Sequence, residues 1–271
     1  MGRVSIEEVS LEFRTRRTGT IVALDSLSME IPDKQFAVIV GPSGCGKSSL
    51  LTLVAGLNDA SSGCCRVDGR VVNGPGADRG MVFQSYSLFP WLTVRKNVEF
   101  GLAVGGLPAP ERTERALRHI EAVGLSGFED AYPVQLSGGM QQRVAIARVL
   151  ANDPEVLLMD EPFGALDSQT RSIMQELLLG IWEREQKTVL FVTHDIDEAL
   201  YLGDVVYIMS ARPGRIIDTI EVGLARPRRY DIVTSERFVG HKRRVMASLH
   251  SEVQKTMNLT PPDPGESGST S

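Results

Sequence analysis

Apolar and polar positions alternate over residues 6–13 and 21–31, the period-two pattern of half-buried antiparallel strands. Farther along, apolar residues come in unbroken runs at 36–40, 156–159 and 189–192. Runs of that length mark strands buried on both faces of a parallel sheet. Helical spacing fills the intervals, which predicts helices over 47–55, 138–151, 168–186 and 196–202. Further strands are expected at 65–72, 80–83, 155–160, 188–193, 205–210 and 215–222, with Asn73-Gly74-Pro75-Gly76 as a turn. Strands separated by helices imply βαβ units and an α/β fold.

Two stretches fall outside this alternation. Residues 94–137 read as a helical insert, in which Ala116, Leu117, Ile120 and Val123 recur at helical spacing. Residues 234–257 read as a final helix with apolar positions Phe238, Val245, Met246, Leu249 and Val253. The layout is thus an α/β domain over 1–225 with its insert at about 94–137, a helical extension over 226–259, and a tail over 260–271. That tail is rich in Pro, Gly and Ser and is expected to be disordered. No internal repeat is visible.

Bulk properties narrow the function classes. No apolar run reaches the ~18 residues of a membrane helix, and Met1-Gly2-Arg3-Val4-Ser5 lacks the apolar stretch of a secretory signal. Membrane association is therefore expected through a partner. A net charge of −5 disfavours broad nucleic-acid binding, which phosphate neutralisation leads. The basic runs at 14–17, 226–229 and 242–244 read as solvated faces, with 14–19 an exposed turn. Three cysteines, two of them the adjacent Cys64 and Cys65, suit neither a disulfide framework nor a metal pair. A reduced, cytosolic protein is expected.

The chemistry is carried by a few short segments. Gly41-Pro42-Ser43-Gly44-Cys45-Gly46-Lys47-Ser48, followed by Ser49, is a phosphate-binding loop between an apolar strand and a helix. Its glycines let consecutive N–H groups turn inward toward a phosphate, and the helix N-terminus adds its dipole. Lys47 supplies a full charge near the β/γ-phosphates, and the Ser48 hydroxyl is a natural Mg²⁺ ligand. Asp160 and Glu161 end a buried strand, where open α/β sheets place ligand chemistry. Asp160 is assigned to Mg²⁺ through a water, and Glu161 to orienting and deprotonating the attacking water. His194 ends another apolar strand; it is either a residue at a helix start or a contact to the γ-phosphate through Nε2. Cys45 has two readings: a thiolate favoured by the loop amides and Lys47, or a small residue filling a tight loop.

With Leu136-Ser137-Gly138-Gly139-Met140-Gln141-Gln142 ahead of Asp160-Glu161-Pro162, then Thr193-His194-Asp195, the chain resembles the ATP-binding cassette (ABC) ATPases from about residue 4 to about 222. The resemblance implies a P-loop NTPase core with an antiparallel β subdomain and a helical insert. It also implies MgATP hydrolysis by a head-to-tail dimer, in which Ser137, Gly138 and Gly139 of one copy clamp the γ-phosphate held by the other. Asp167 matches the segment that couples the two sites. Gln84 matches the glutamine loop that contacts Mg²⁺ or the water, and His194 the histidine that steadies the transition state. Phe13 matches the aromatic that stacks on adenine, with a plain strand aromatic as its other reading. Met140 stands where the wider family has Gln.

The segments Gly74-Pro75-Gly76-Ala77-Asp78-Arg79-Gly80, Phe83-Gln84-Ser85-Tyr86-Ser87-Leu88-Phe89-Pro90-Trp91 and Ser210-Ala211-Arg212-Pro213-Gly214-Arg215 are similar to the nitrate, sulfonate and taurine importers. The implied partners are a second copy of the chain, transmembrane permease subunits and, indirectly, a solute-binding protein, at the cytoplasmic face of the membrane. Phe89, Pro90 and Trp91 form either a groove for a permease helix or a locally buried cluster. The rival is a soluble ABC ATPase of DNA repair or translation, which would carry long coiled-coil inserts or two cassettes. This chain has neither.

Overall fold

The run Phe36–Val40 is a strand with all five side chains buried, and it organises the molecule. In the computed structural model, which describes residues 2–15 and 19–258, it is β3. The other strands are β1 (Val4–Thr15), β2 (Gly19–Ile31), β4 (Ser62–Val67), β5 (Arg70–Val71), β6 (Arg79–Val82), β7 (Val156–Asp160), β8 (Thr188–Thr193), β9 (Val205–Met209) and β10 (Ile216–Glu221). The helices are α1 (Lys47–Val54), α2 (Val94–Val104), α3 (Ala109–Ala122), α4 (Gly138–Leu150), α5 (Ser168–Glu185), α6 (Ile196–Leu202) and α7 (Glu236–Asn258). A six-stranded sheet runs in the order β10-β9-β3-β8-β7-β6, and a four-stranded antiparallel sheet in the order β2-β1-β4-β5. The fold is the α/β, P-loop type with an antiparallel subdomain.

Side chains of β3 point alternately to two cores. Phe36, Val38 and Val40 face the core of α4, α5 and α6, where Phe36 meets Trp182 edge-on at 5.8 Å. Ala37 and Ile39 face the core shared with the antiparallel sheet and α1. Both faces of the strand are therefore dry, which is why its sequence is continuously apolar. β7 and β8 follow the same rule.

Several details differ from the sequence reading. Residues 65–72 are not one strand: Asp68 (φ 48) and Gly69 (φ 76) turn the chain between β4 and β5 as a hairpin. An Asp-Gly pair meets the positive-φ demand of such a turn at low cost. β10 pairs with β9 antiparallel and closes the sheet edge. On α3, Ala116, Ile120 and Val123 are buried, whereas Leu117 points outward at 39% exposure. Arg14 and Thr15 lie within β1, and Gly19 opens β2; residues 16–18 of the expected basic turn lie outside the described residues. The 260–271 tail and the Val253 side chain also lie outside them.

The run 226–229 is not a solvated face. Arg228 is buried and donates to the carbonyls of Tyr201 at 2.9 Å and Gly203 at 2.8 Å. Burial, with Arg226 nearby, pulls its guanidinium down to about 10. Arg226 pairs with Asp204 at 2.8 Å and lies 4.1 Å from the Trp182 ring centroid. These contacts fasten the start of the C-terminal extension to the end of α6. Beyond them α7 buries Phe238 and Val245, while Met246 is exposed. Lys242 and Arg244 are at the surface, paired with Asp197 and Asp218.

Candidate active site

The phosphate loop leaves β3 and enters α1. Gly44 (φ 74) and Gly46 (φ 108) adopt left-handed backbone, and a Cβ on Gly46 would strike Leu24 and the Ala23 carbonyl. Gly46 caps α1 with no side-chain acceptor, so the first N–H groups of that helix have no cap bond. Such groups attract anions. Lys47 is 5% exposed and its Nζ donates to the carbonyls of Gly41 at 2.8 Å and Pro42 at 2.9 Å. The third proton of the ammonium faces Cys45 Sγ at 3.9 Å, a weak acceptor that a phosphate oxygen would outcompete. Phe13, Ser43, Lys47, Ser48, Ser49, Gln84 and Glu161 line one cavity of about 350 Å³. Phe13 stands at its wall, 43% exposed.

Ser48 Oγ donates to Asp160 Oδ1 at 2.9 Å, joining the loop to the end of β7. Burial raises the Asp160 pKa and the neighbouring Glu161 charge adds to it, against the Ser48 hydrogen bond and Lys47. A cation beside this carboxylate would relieve the cost of its burial. Among the described residues no three His, Cys, Asp or Glu side chains cluster as a metal site. The donors present are the Ser48 hydroxyl, the Asp160 carboxylate and the Gln84 amide, hard oxygens that fit Mg²⁺.

Glu161 departs from the strand. It sits at φ 41 while its N–H still donates to Val192 O at 2.9 Å. A non-glycine residue held in this region marks a position that its surroundings impose. His194 Nδ1 lies 3.0 Å from Glu161 Oε2. With Nδ1–H donated to that carboxylate, Nε2 is the nitrogen left to meet a ligand.

The signature residues are elsewhere. Ser137 caps α4, its Oγ accepting from Met140 N at 3.3 Å, and Asp167 caps α5 by accepting from Gln169 N and Thr170 N. These bonds, first that of Thr170, hold the Asp167 pKa low. The two helix starts adjoin, because a Cβ on Gly139 would press on the Thr170 methyl. Ser137, Gly138, Gly139 and Asp167 do not line the cavity around Lys47. The phosphate loop and the helix starts at Ser137 and Asp167 therefore lie apart on one chain.

Three arginines join these parts without any motif to announce them. Arg148 of α4 donates to the carbonyls of Ser87 at 2.7 Å and Tyr86 at 3.2 Å, gripping the segment after Gln84. Arg171 of α5 reaches the Asp195 carboxylate at 3.1 Å and the Leu166 carbonyl at 3.1 Å, linking the neighbours of His194 and Asp167. Arg212 lines the same cavity, although in sequence its segment marks only the importer branch.

The thiolate reading of Cys45 is corrected. Its side chain is 1% exposed and burial raises its pKa, outweighing the nearby Lys47 charge. A Cβ on Gly41 would touch Cys45 Sγ, so the thiol fills the inside of the loop.

The family model for the ABC transporter matches residues 24–164. The chain belongs to the ABC transporter family. It is 55% identical over 208 residues to the nitrate import ATP-binding protein of Synechocystis sp., covering 77% of this chain and 78% of that one. It is 48% identical over 255 residues to the taurine import ATP-binding protein of Rhizobium johnstonii, covering 92% and 97%. A solved dimeric ATP-binding cassette in a post-hydrolysis state, bound to ADP and phosphate, superposes with a TM-score of 0.72 at 34% identity, covering 82% of this chain and 100% of that one. With an aliphatic sulfonates import ATP-binding protein of Bacillus thuringiensis, 48% identical over 225 residues and covering 83% of this chain and 88% of that one, these import relatives support the nitrate, sulfonate and taurine branch. This cassette is an ATPase, and ATP is its substrate.

Proposed function

We propose that this cassette energises an ABC import system for a small anionic solute of the nitrate, sulfonate or taurine class, working as a head-to-tail pair of copies on a membrane permease. The observation that carries the pairing is the separation of the Lys47 cavity from Ser137, Gly138, Gly139 and Asp167. Two antiparallel copies would bring each half against the complementary half of its partner.

Within the cavity, Lys47 and the α1 N-terminus hold the phosphate chain, and Phe13 supports the adenine face. Ser48, Asp160 and Gln84 would hold Mg²⁺, which neutralises charge on the phosphate oxygens when bound. Glu161 orients the attacking water and takes its proton, and His194, in the doubly protonated form in which both ring nitrogens donate, donates from Nε2 to the γ-phosphate. His194 also fixes the Glu161 carboxylate through its other nitrogen.

The permease contact is the groove beside Gln84. Gly80, Phe83, Phe89, Phe100, Val104 and Pro154 line about 580 Å³ of mainly apolar space. Phe89 packs on Phe100 at 4.4 Å and on Trp91 at 5.7 Å, yet Trp91 is 70% exposed and Phe100 43%. The buried Asn97 fastens this loop by bonding both the N–H and the carbonyl of Phe89. A rigid, uncovered aromatic surface suits an apolar helix end of a permease. No helix among the described residues is long and apolar enough to cross a membrane. The cassette would sit at the cytoplasmic face through the permease, which a solute-binding protein supplies. Nothing observed favours the repair or translation reading.

Replacing the native gene by Ser137→Arg tests this function. Hydrolysis by the purified variant should be lost with MgATP binding kept, and uptake of one of the three anion classes should stop in its host. Undiminished uptake of all three would overturn the import reading.

A further inference from the structure

The segment 210–215 follows β9 and folds over the phosphate loop. Gly214 N donates to Ala23 O at 2.8 Å, its carbonyl accepts from Asp25 N at 3.2 Å, and Arg215 pairs with Asp25. A side chain at Gly214 would overlap the Cys45 carbonyl, so the loop lies directly on the phosphate loop. From the other side, Ala211 N donates to Glu252 Oε2 of α7 at 3.2 Å, and Glu252 is buried. The C-terminal extension thus helps to set the position of this loop.

So held, the loop sends Arg212 across the phosphate loop, where Nη2 donates to Gly44 O at 3.0 Å. The same side chain lines the cavity with Phe13, Ser43 and Lys47. We propose that Arg212 is a nucleotide-binding residue whose guanidinium contacts the phosphate chain of the bound nucleotide while bracing the Gly44 peptide.

Charge and donor count support this role. The ionisable residues lining the cavity are Lys47, Glu161 and Arg212. Asp160, bonded to the lining Ser48 at 2.9 Å, adds a second carboxylate to Glu161, so Lys47 and Arg212 are both needed to offset the two acids before an anionic nucleotide enters. A guanidinium carries five N–H donors, and Gly44 takes one of them. Its fork matches phosphate oxygens in a way that an ammonium does not. No ion-pair partner engages Arg212 among the described residues.

The proposal rests on the nucleotide occupying the cavity around Lys47. The test is calorimetric titration of wild type, Arg212→Gln and Arg212→Lys with MgADP, alongside the nucleotide-free Tm of each. Arg212→Gln keeps polar donors but has lost the charge and the fork. Its Kd should rise about tenfold with a weaker dependence on salt, its Tm should stay near wild type, and Arg212→Lys should recover part of the loss. Unchanged MgADP affinity in a folded Arg212→Gln chain would overturn the proposal and leave the nucleotide reading standing. Wild type that failed to bind MgADP would overturn both. Where Arg212→Gln folds poorly, phenylglyoxal modification of the wild-type chain followed by peptide mapping decides. MgADP should protect Arg212, and equal modification with and without it would overturn the proposal.

Discussion

His194 Nδ1 and Glu161 Oε2 stand 3.0 Å apart, although one residue follows β8 and the other follows β7. The register between these parallel strands pairs Asp160 with Val192, which brings both strand exits to the same level. The two proposed catalytic side chains are therefore placed by strand register and oriented by each other.

His194→Ala should lower kcat by about 10²–10⁴-fold, the range for loss of a positioned acid–base group. MgADP affinity should hold, because the phosphate loop and α1 are untouched. Steady-state turnover with parallel MgADP titration checks this, and near-wild-type turnover would remove His194 from the reaction.

Cys45 should be slow to react. It is 1% exposed with a raised pKa, Cys65 is also buried with its thiol pushed up to about 12, and Cys64 is only half-buried. Maleimide should label Cys64 first in the folded chain, with Cys45 reacting rapidly only in denaturant and MgATP making little difference. Cys45→Ser should remain active. Rapid, nucleotide-sensitive labelling of Cys45 in the folded chain would restore the thiolate reading.

Much of this fold was legible because burial on both faces leaves no room for polar residues in β3, β7 and β8. The phosphate loop stood out because phosphate chemistry demands glycine, lysine and hydroxyl groups at set spacing. Other features left no local trace. Arg148, Arg212 and Arg228 bond carbonyls 61, 168 and 27 positions away, and no period in the sequence announces such partners. Leu117 fitted the helical spacing of α3 yet faces outward, since spacing gives a stripe and packing decides its width. Cys45 keeps two readings in sequence because its nearness to Lys47 is visible there, whereas the burial that decides between them is not.

Glu198 gives a pH-dependent stability. It is buried on α6, accepts from Gln175 at 3.0 Å, and has its pKa raised chiefly by that burial. The folded chain thus holds this proton to higher pH than the unfolded chain does. The resulting stability is fully present below the unfolded carboxyl range and is lost as pH rises through the folded value. Glu198→Gln, which keeps an acceptor for Gln175 without the charge, should come nearest to wild type at about pH 4 and melt about 2 °C or more above it at about pH 8. Calorimetric Tm values across that range are the check, and a difference that shrinks with rising pH would contradict the sign.

The central claim is that two copies of this chain build each complete site, with Glu161 needed to hydrolyse ATP and reopen the pair. Glu161→Gln leaves Lys47, Ser48 and Asp160 in place, so it should bind MgATP while turning over about 10²–10⁴-fold more slowly. Size-exclusion chromatography of this variant with MgATP is the most direct measurement. The account predicts a stable dimer that MgADP does not produce. A monomer in both nucleotides, from a variant shown to bind MgATP, would contradict it.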